Sequence, residues 1–170
     1  MHSQHFTMSA PGQREQGQIQ GRAVDNKRAA ERKPTILLAE DSPADVYLIR
    51  EALREHGVES PVRVAPDGKH VLQLLSDPSA KIEDVGLIIL DLNLPLHDGI
   101  EILQQLRTSG NLARIPVVVL TSSDSPRDRL MAGELGAACY LRKPTGLDQF
   151  LSLGAIFKNL LESRAVSGEQ

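Results

Sequence analysis

Glu40-Asp41, Asp91, Thr121-Ser122 and Lys143-Pro144 are residue types that together can handle a divalent cation and a phosphoryl group. Carboxylate oxygens suit a hard cation. A carboxylate can also attack phosphorus and form an acyl phosphate. An ammonium pairs with a phosphoryl oxygen as a mobile point charge, and a hydroxyl donates to another. The clusters share a placement: each follows, or ends, a short apolar run, over 36–39, 87–90, 117–120 and 138–141. In an open parallel sheet the carboxyl ends of the strands lie along one edge, and ligands bind in the crevice there.

The elements that must build such an edge alternate regularly from Pro34 onward. Apolar runs predict strands over 35–39, 62–65, 85–90, 116–120 and 138–141. The third is uninterrupted, as expected when both faces of a parallel strand are covered. Ser42-Pro43 and Ser125-Pro126 place a cap before a proline at the first helical position, a start signal for helices from 43 to about 56 and from 126 to near 136. Gly57 ends the first of these, whose inner face carries Val46, Ile49 and Leu53. Asp67-Gly68 turns the chain into a helix over 69–76. Asp98, with Glu101 three residues later, resembles a capping box for a helix ending near Ser109. Thr145 is the expected cap of a last helix over 147–163, whose apolar stripe includes Leu147, Phe150, Leu151, Gly154, Phe157 and Leu161.

This alternation predicts an α/β fold: a doubly wound, five-stranded parallel sheet with helices on both faces, in the flavodoxin-like strand order 2-1-3-4-5. The expected domain spans 34–164, between a disordered N-terminal tail over 1–33 and a flexible C-terminus over 165–170. The tail is rich in Gln, Gly and charge and has too few large apolar residues to offset the entropy of ordering.

Asp91 ends what should be a central, buried strand, where an unpaired carboxylate is costly. Glu40 and Asp41 follow the neighbouring strand. Three such charges close together repel, so without a cation at least one pKa should rise. Mg²⁺ fits the conflict, since it takes a few carboxylate oxygens and completes its shell with water or phosphate. Asp91 is the expected nucleophile, with Lys143 and Thr121 serving phosphoryl oxygens. A cis Lys143-Pro144 bond would aim the lysine back into the crevice.

Composition excludes several other classes. The chain has 170 residues and a net charge of −3. Residues 1–33 carry six Lys/Arg against three Asp/Glu, so the remainder is the more acidic part, a poor match for DNA. Aromatic residues make up 3% of the chain, too few for base-stacking platforms. Cys139 is the sole cysteine, which rules out an internal disulfide and a thiolate metal cage. No apolar run approaches the roughly 20 residues of a membrane span, and no secretory signal is visible, so a cytoplasmic protein is expected.

The motifs ILLAEDSPAD, LIILDLNLPLHDGIEIL, IPVVVLTSSD and CYLRKPTGLDQF resemble the receiver domain of two-component response regulators, from Pro34 to about Ser163. The resemblance is greatest to stand-alone receivers that partner phytochrome-type histidine kinases. It implies that Asp91 is the phosphoacceptor, Asp41 a direct Mg²⁺ ligand and Glu40 an acid acting through water. It implies that Asn93 lends the metal its backbone carbonyl, that Thr121 and Tyr140 form a switch, and that Lys143 pairs with the phosphate. A sensor histidine kinase and a downstream protein are the implied partners, and the surface of helix 4, strand 5 and helix 5 is the implied readout. Leu147, Leu151 and Phe157 are candidate exposed apolar residues there, which would make the same surface a homodimer face. Glu40 stands where Asp is commoner in the family, and Thr145 where an aromatic often follows Lys-Pro. Two other readings are an aspartate-dependent Mg²⁺ phosphohydrolase and a phosphorylation-independent binding module.

Overall fold

The computed structural model describes residues 33–77 and 84–167. The tail expected over 1–33 lies, Lys33 apart, outside the described residues.

Side-chain alternation divides the core into two layers. In β1 (Thr35–Ala39) and β3 (Val85–Leu90), Leu37, Ala39, Ile88 and Leu90 join one apolar cluster, while Ile36, Leu38, Leu87 and Ile89 join another. A strand sends successive side chains to opposite faces, so helices must cover both. α1 (Pro43–Glu55) and α5 (Leu147–Ser167) cover one face through Ile49, Leu53, Phe150 and Phe157. α2 (Gly68–Ser76), α3 (Gly99–Thr108) and α4 (Pro126–Glu134) cover the other through Val71, Ile102, Leu103 and Ala132. With β2 (Val62–Ala65), β4 (Val117–Thr121) and β5 (Cys139–Arg142), the strands form one parallel sheet in the order β2-β1-β3-β4-β5. This is the expected flavodoxin-like architecture.

The helix starts follow the sequence signals. Ser42, Asp67, Asp98 and Ser125 each accept a backbone N–H with the side chain. Asp98 takes its bond from Ile100 N at 2.8 Å, short of the Glu101 position that a capping box uses. Gly57 follows α1 at φ +70°, a left-handed conformation that glycine adopts without a Cβ clash. Phe150 N donates to the Gly146 carbonyl, so Gly146 rather than Thr145 occupies the cap position of α5.

Several boundaries move. β4 and β5 each run one residue further than expected because Thr121 still pairs with Arg142. α5 continues to Ser167, since no glycine or proline lies between Ser163 and Gly168; residues 165–167 are therefore helical and 168–170 lie outside the described residues. A 3-10 helix at Gly110–Arg114, unforeseen in the sequence, tucks Leu112 under the sheet. Phe157, expected among the candidate exposed residues of α5, is fully buried, whereas Leu147 is 58% exposed. Cys139 is half-buried against the α1–α5 layer.

The α1–α5 contact is tight at Gly154. A Cβ there would overlap the Ala52 carbonyl oxygen and stand 2.5 Å from His56 Nδ1. Backbone cannot swing aside as a side chain does, so Gly154→Ala is expected to destabilise the fold by about 2–3 kcal/mol through overpacking. Urea unfolding of the two proteins measures this; an unchanged midpoint would show that α5 slides freely on α1.

Candidate functional site

The carboxyl edge of β1, β3, β4 and β5 brings together residues that lie up to about a hundred positions apart. Glu40 and Asp41 follow β1, Asp91 follows β3, Thr121 ends β4 and Lys143 follows β5. Each strand fixes its residue by ladder bonds that run to the edge: Asp91 N donates to Ala39 O at 3.0 Å, and Lys143 N to Thr121 O at 2.9 Å. Glu40, Asp41 and Asp91 can each offer a carboxylate oxygen within 4.8 Å of the others.

Lys143 is the hub. Its Nζ lies 2.8 Å from Glu40 Oε2, 2.8 Å from Asp45 Oδ2 and 2.6 Å from Asp91 Oδ2. Side-chain exposure is 11% for Lys143, 1% for Glu40 and 4% for Asp91. Burial opposes the ammonium, but hydrogen bonds to Asp45, Asp91 and Glu40 outweigh it and push the Lys143 pKa up. Burial raises the Glu40 pKa, and the bonds from Lys143 and from Ser42 N (3.0 Å) offset this only in part. Burial is thus the main cause of the rise, and repulsion from Asp91 adds the smallest part.

Asp91 and Thr121 are locked by Asn93. Asn93 N donates to Asp91 Oδ1 at 2.9 Å, and Asn93 Nδ2 donates to Thr121 Oγ1 at 3.1 Å and Ser122 Oγ at 3.2 Å. Ser123 links Thr121 to Tyr140: its N–H donates to Thr121 Oγ1 at 3.2 Å, and its carbonyl accepts from Tyr140 Oη at 3.2 Å. The Arg129 guanidinium sits over the Tyr140 ring, 4.9 Å from the centroid.

The Lys143-Pro144 bond is trans, as is every other peptide bond among the described residues. No redirection is needed, because the residue next after β5 already faces the crevice with its N–H held by Thr121. Asp45 carries no sequence-derived role, yet it is one of the three acids on Lys143. Its signal was weak, since an acid in the first turn of a helix usually serves the helix dipole.

The model of the response regulator receiver domain family matches residues 36–153. This chain belongs to the response regulator receiver domain family. The receiver is similar to the response regulator Rcp1 of Synechocystis sp., 37% identical over 120 residues, which are 69% of this chain and 82% of that protein. It is also similar to the probable transcriptional regulatory protein SYNPCC7002_A0851 of Picosynechococcus sp., 35% identical over 122 residues but spanning only 47% of that longer protein. Among solved structures, the phosphorylated cyanobacterial phytochrome response regulator RcpA matches with TM-score 0.69 and 34% identity, over 77% of this chain and 95% of that one. The Mn²⁺-bound form of Rcp1 matches with TM-score 0.66 and 35% identity, over 74% and 92%. This is a signalling receiver related to phytochrome response regulators, and its acid cluster suits a divalent metal. No described helix is long and apolar enough to cross a membrane.

Proposed function

We propose that this receiver is a single-domain response regulator, spanning 34–164, that accepts a phosphoryl group from a sensor histidine kinase on Asp91. The observation that carries this is the convergence of Glu40, Asp41 and Asp91 at the carboxyl edge of the sheet, with the largely buried Lys143 ammonium bonded to Glu40 and Asp91. In the transfer, the P–N bond of the donor phosphohistidine breaks and a bond forms between phosphorus and an Asp91 carboxylate oxygen. The freed imidazole picks up a proton. Lys143 and the Thr121 hydroxyl donate to the phosphoryl oxygens, where charge is spread in a loose transition state. The donor set is all oxygen and mostly carboxylate, which fits Mg²⁺: Asp41, Asp91 and the Asn93 carbonyl would hold it, with Glu40 acting through water. Bound there, the cation would neutralise phosphoryl charge beside Asp91.

The response would pass along β4. Drawing the Thr121 hydroxyl toward the phosphoryl group disturbs its bonds from Asn93 and Ser123, and Ser123 is also what the Tyr140 hydroxyl holds. The coupled shift of Thr121 and Tyr140 would bias a pre-existing equilibrium of the α4–β5–α5 surface, where Leu130 and Leu147 are exposed. A cytoplasmic downstream protein, or a second copy of the chain, would read that surface. The kinship with Rcp1 and RcpA supports a phytochrome-type kinase as donor.

Incubation of the full chain with a small acyl phosphate, followed by intact-mass analysis, tests the reading. One phosphoryl adduct per chain, present with Mg²⁺, absent with chelator and mapped to the Asp91 peptide, is the expected result. Folded, Mg²⁺-loaded protein that takes no adduct, or that turns over ordinary phosphomonoesters continuously, would overturn it.

A further inference from the structure

We infer that Asp45 is a positioning residue that parks the Lys143 ammonium and thereby slows phosphoryl acceptance, an inference that rests on the phosphoacceptor reading of Asp91. An ammonium has three N–H donors and no acceptor. Glu40, Asp45 and Asp91 each lie 2.6–2.8 Å from Nζ, so the donors are spoken for before any phosphoryl group arrives. A phosphoryl oxygen that is to pair with Lys143 must displace one of them.

The partner that yields is the one whose release costs least. Glu40 and Asp91, with side chains 1% and 4% exposed, cannot be rehydrated in place, so when the ammonium turns away each depends wholly on the cation beside it. Asp45 differs in two ways. Its side chain is 26% exposed, so water can replace the lysine. It also sits in the first turn of α1, where the helix N-terminus favours a negative charge with or without Lys143. Lys143 N stays bonded to Thr121 O throughout, so only the end of the side chain has to turn. Asp45 acts through Lys143 alone.

The side chain of Asp45 is separable from the start of α1. The cap bond there runs from the backbone N–H of Asp45 to Ser42 Oγ, at 3.3 Å, and survives truncation to alanine. Asp45→Ala therefore tests the ion pair without unfolding the helix.

The experiment follows the time course of adduct formation on the full chain, with a small acyl phosphate in saturating Mg²⁺, by acid quench and intact mass. Asp45→Ala is expected to raise the second-order rate constant about three- to tenfold. Asp45→Glu, whose carboxylate still reaches the ammonium, should return it toward wild type. In a Lys143→Met background Asp45→Ala should change nothing. An Asp45→Ala rate equal to or below wild type overturns the inference, as does an increase that persists without Lys143. If the Lys143→Met protein does not fold, the Asp45→Glu comparison decides: a rate as high as that of Asp45→Ala rejects parking. A wild-type chain that forms no adduct at all is a different result, and rejects the phosphoacceptor reading itself.

Discussion

Asp91→Asn is expected to take no phosphoryl adduct while remaining folded. The amide keeps one oxygen, which can still accept the Asn93 N–H bond now made to Asp91 Oδ1 at 2.9 Å. It loses the nucleophile, because a carboxamide oxygen does not form a stable acyl phosphate under these conditions. Two effects on stability oppose one another in metal-free protein. With the oxygen at the Oδ1 position the NH₂ takes the place of Oδ2, where it cannot accept, so the 2.6 Å bond from Lys143 is lost. Repulsion among Glu40, Asp41 and Asp91 is relieved at the same time, which lowers the cost of leaving Glu40 ionised. Lys143 keeps Glu40 and Asp45 as charged partners, so it is not stranded. The net change should stay within about 1 kcal/mol, small beside the several kcal/mol of a broken buried pair. Mg²⁺ affinity should fall at least tenfold, since one anionic donor of a small set is gone. Intact mass, urea unfolding and Mg²⁺ titration calorimetry read the three quantities. An adduct of undiminished yield on the variant would move the acceptor to another residue.

The legible part of this molecule is the part in which local pattern and position coincide. The apolar runs before Glu40, Asp91 and Thr121 are strands because Val, Ile and Leu fill both faces of a covered sheet, and the residue that closes each run then has nowhere to go but the common edge, which Lys143 reaches from the half-buried edge strand β5. Ser42-Pro43 and Ser125-Pro126 set helix starts through a bond three residues long, which a sequence displays directly. What stayed hidden depends on partners distant in sequence. Asp45 meets Lys143 across 98 positions and looks, on its own helix, like any first-turn acid. Arg107 donates to the carbonyls of Ala113, Ile115, Leu135 and Gly136, tying α3 to the 3-10 helix and to the end of α4. Nothing about an arginine in the last turn of a helix announces that. The trans Lys143-Pro144 bond belongs to the same class, for the aim of the lysine comes from the bond between its N–H and Thr121.

Lys143→Met is expected to be the most damaging single substitution in the site, costing about 3–5 kcal/mol in metal-free protein at neutral pH. Methionine fills much of the aliphatic stem, so packing is largely preserved and the loss is electrostatic. Glu40 and Asp91 would be left nine-tenths buried or more, negatively charged and without a cation. The pH dependence follows from the sign of the shifts. The Lys143 pKa is raised in the fold, so its stabilising contribution is complete below its ordinary value of 10.5 and fades only above that. At neutral pH the substitution therefore forfeits all of it. The Glu40 pKa is raised already, by burial, and removing the lysine deletes the bond and the charge that now hold it down. A carboxyl whose folded pKa is raised costs nothing below its ordinary 4.5 and destabilises increasingly as pH climbs through the folded value. Acidification should thus narrow the gap between variant and wild type by letting Glu40 carry a proton. Mg²⁺ should narrow it at neutral pH, by supplying the positive charge that the lysine no longer does, with a gain that grows with concentration relative to the dissociation constant. Urea unfolding at pH 5 and pH 8, each with chelator and with Mg²⁺, separates the two rescues. A deficit unaffected by proton or metal would mean that Lys143 holds the crevice by packing, and that its three carboxylate bonds contribute nothing net.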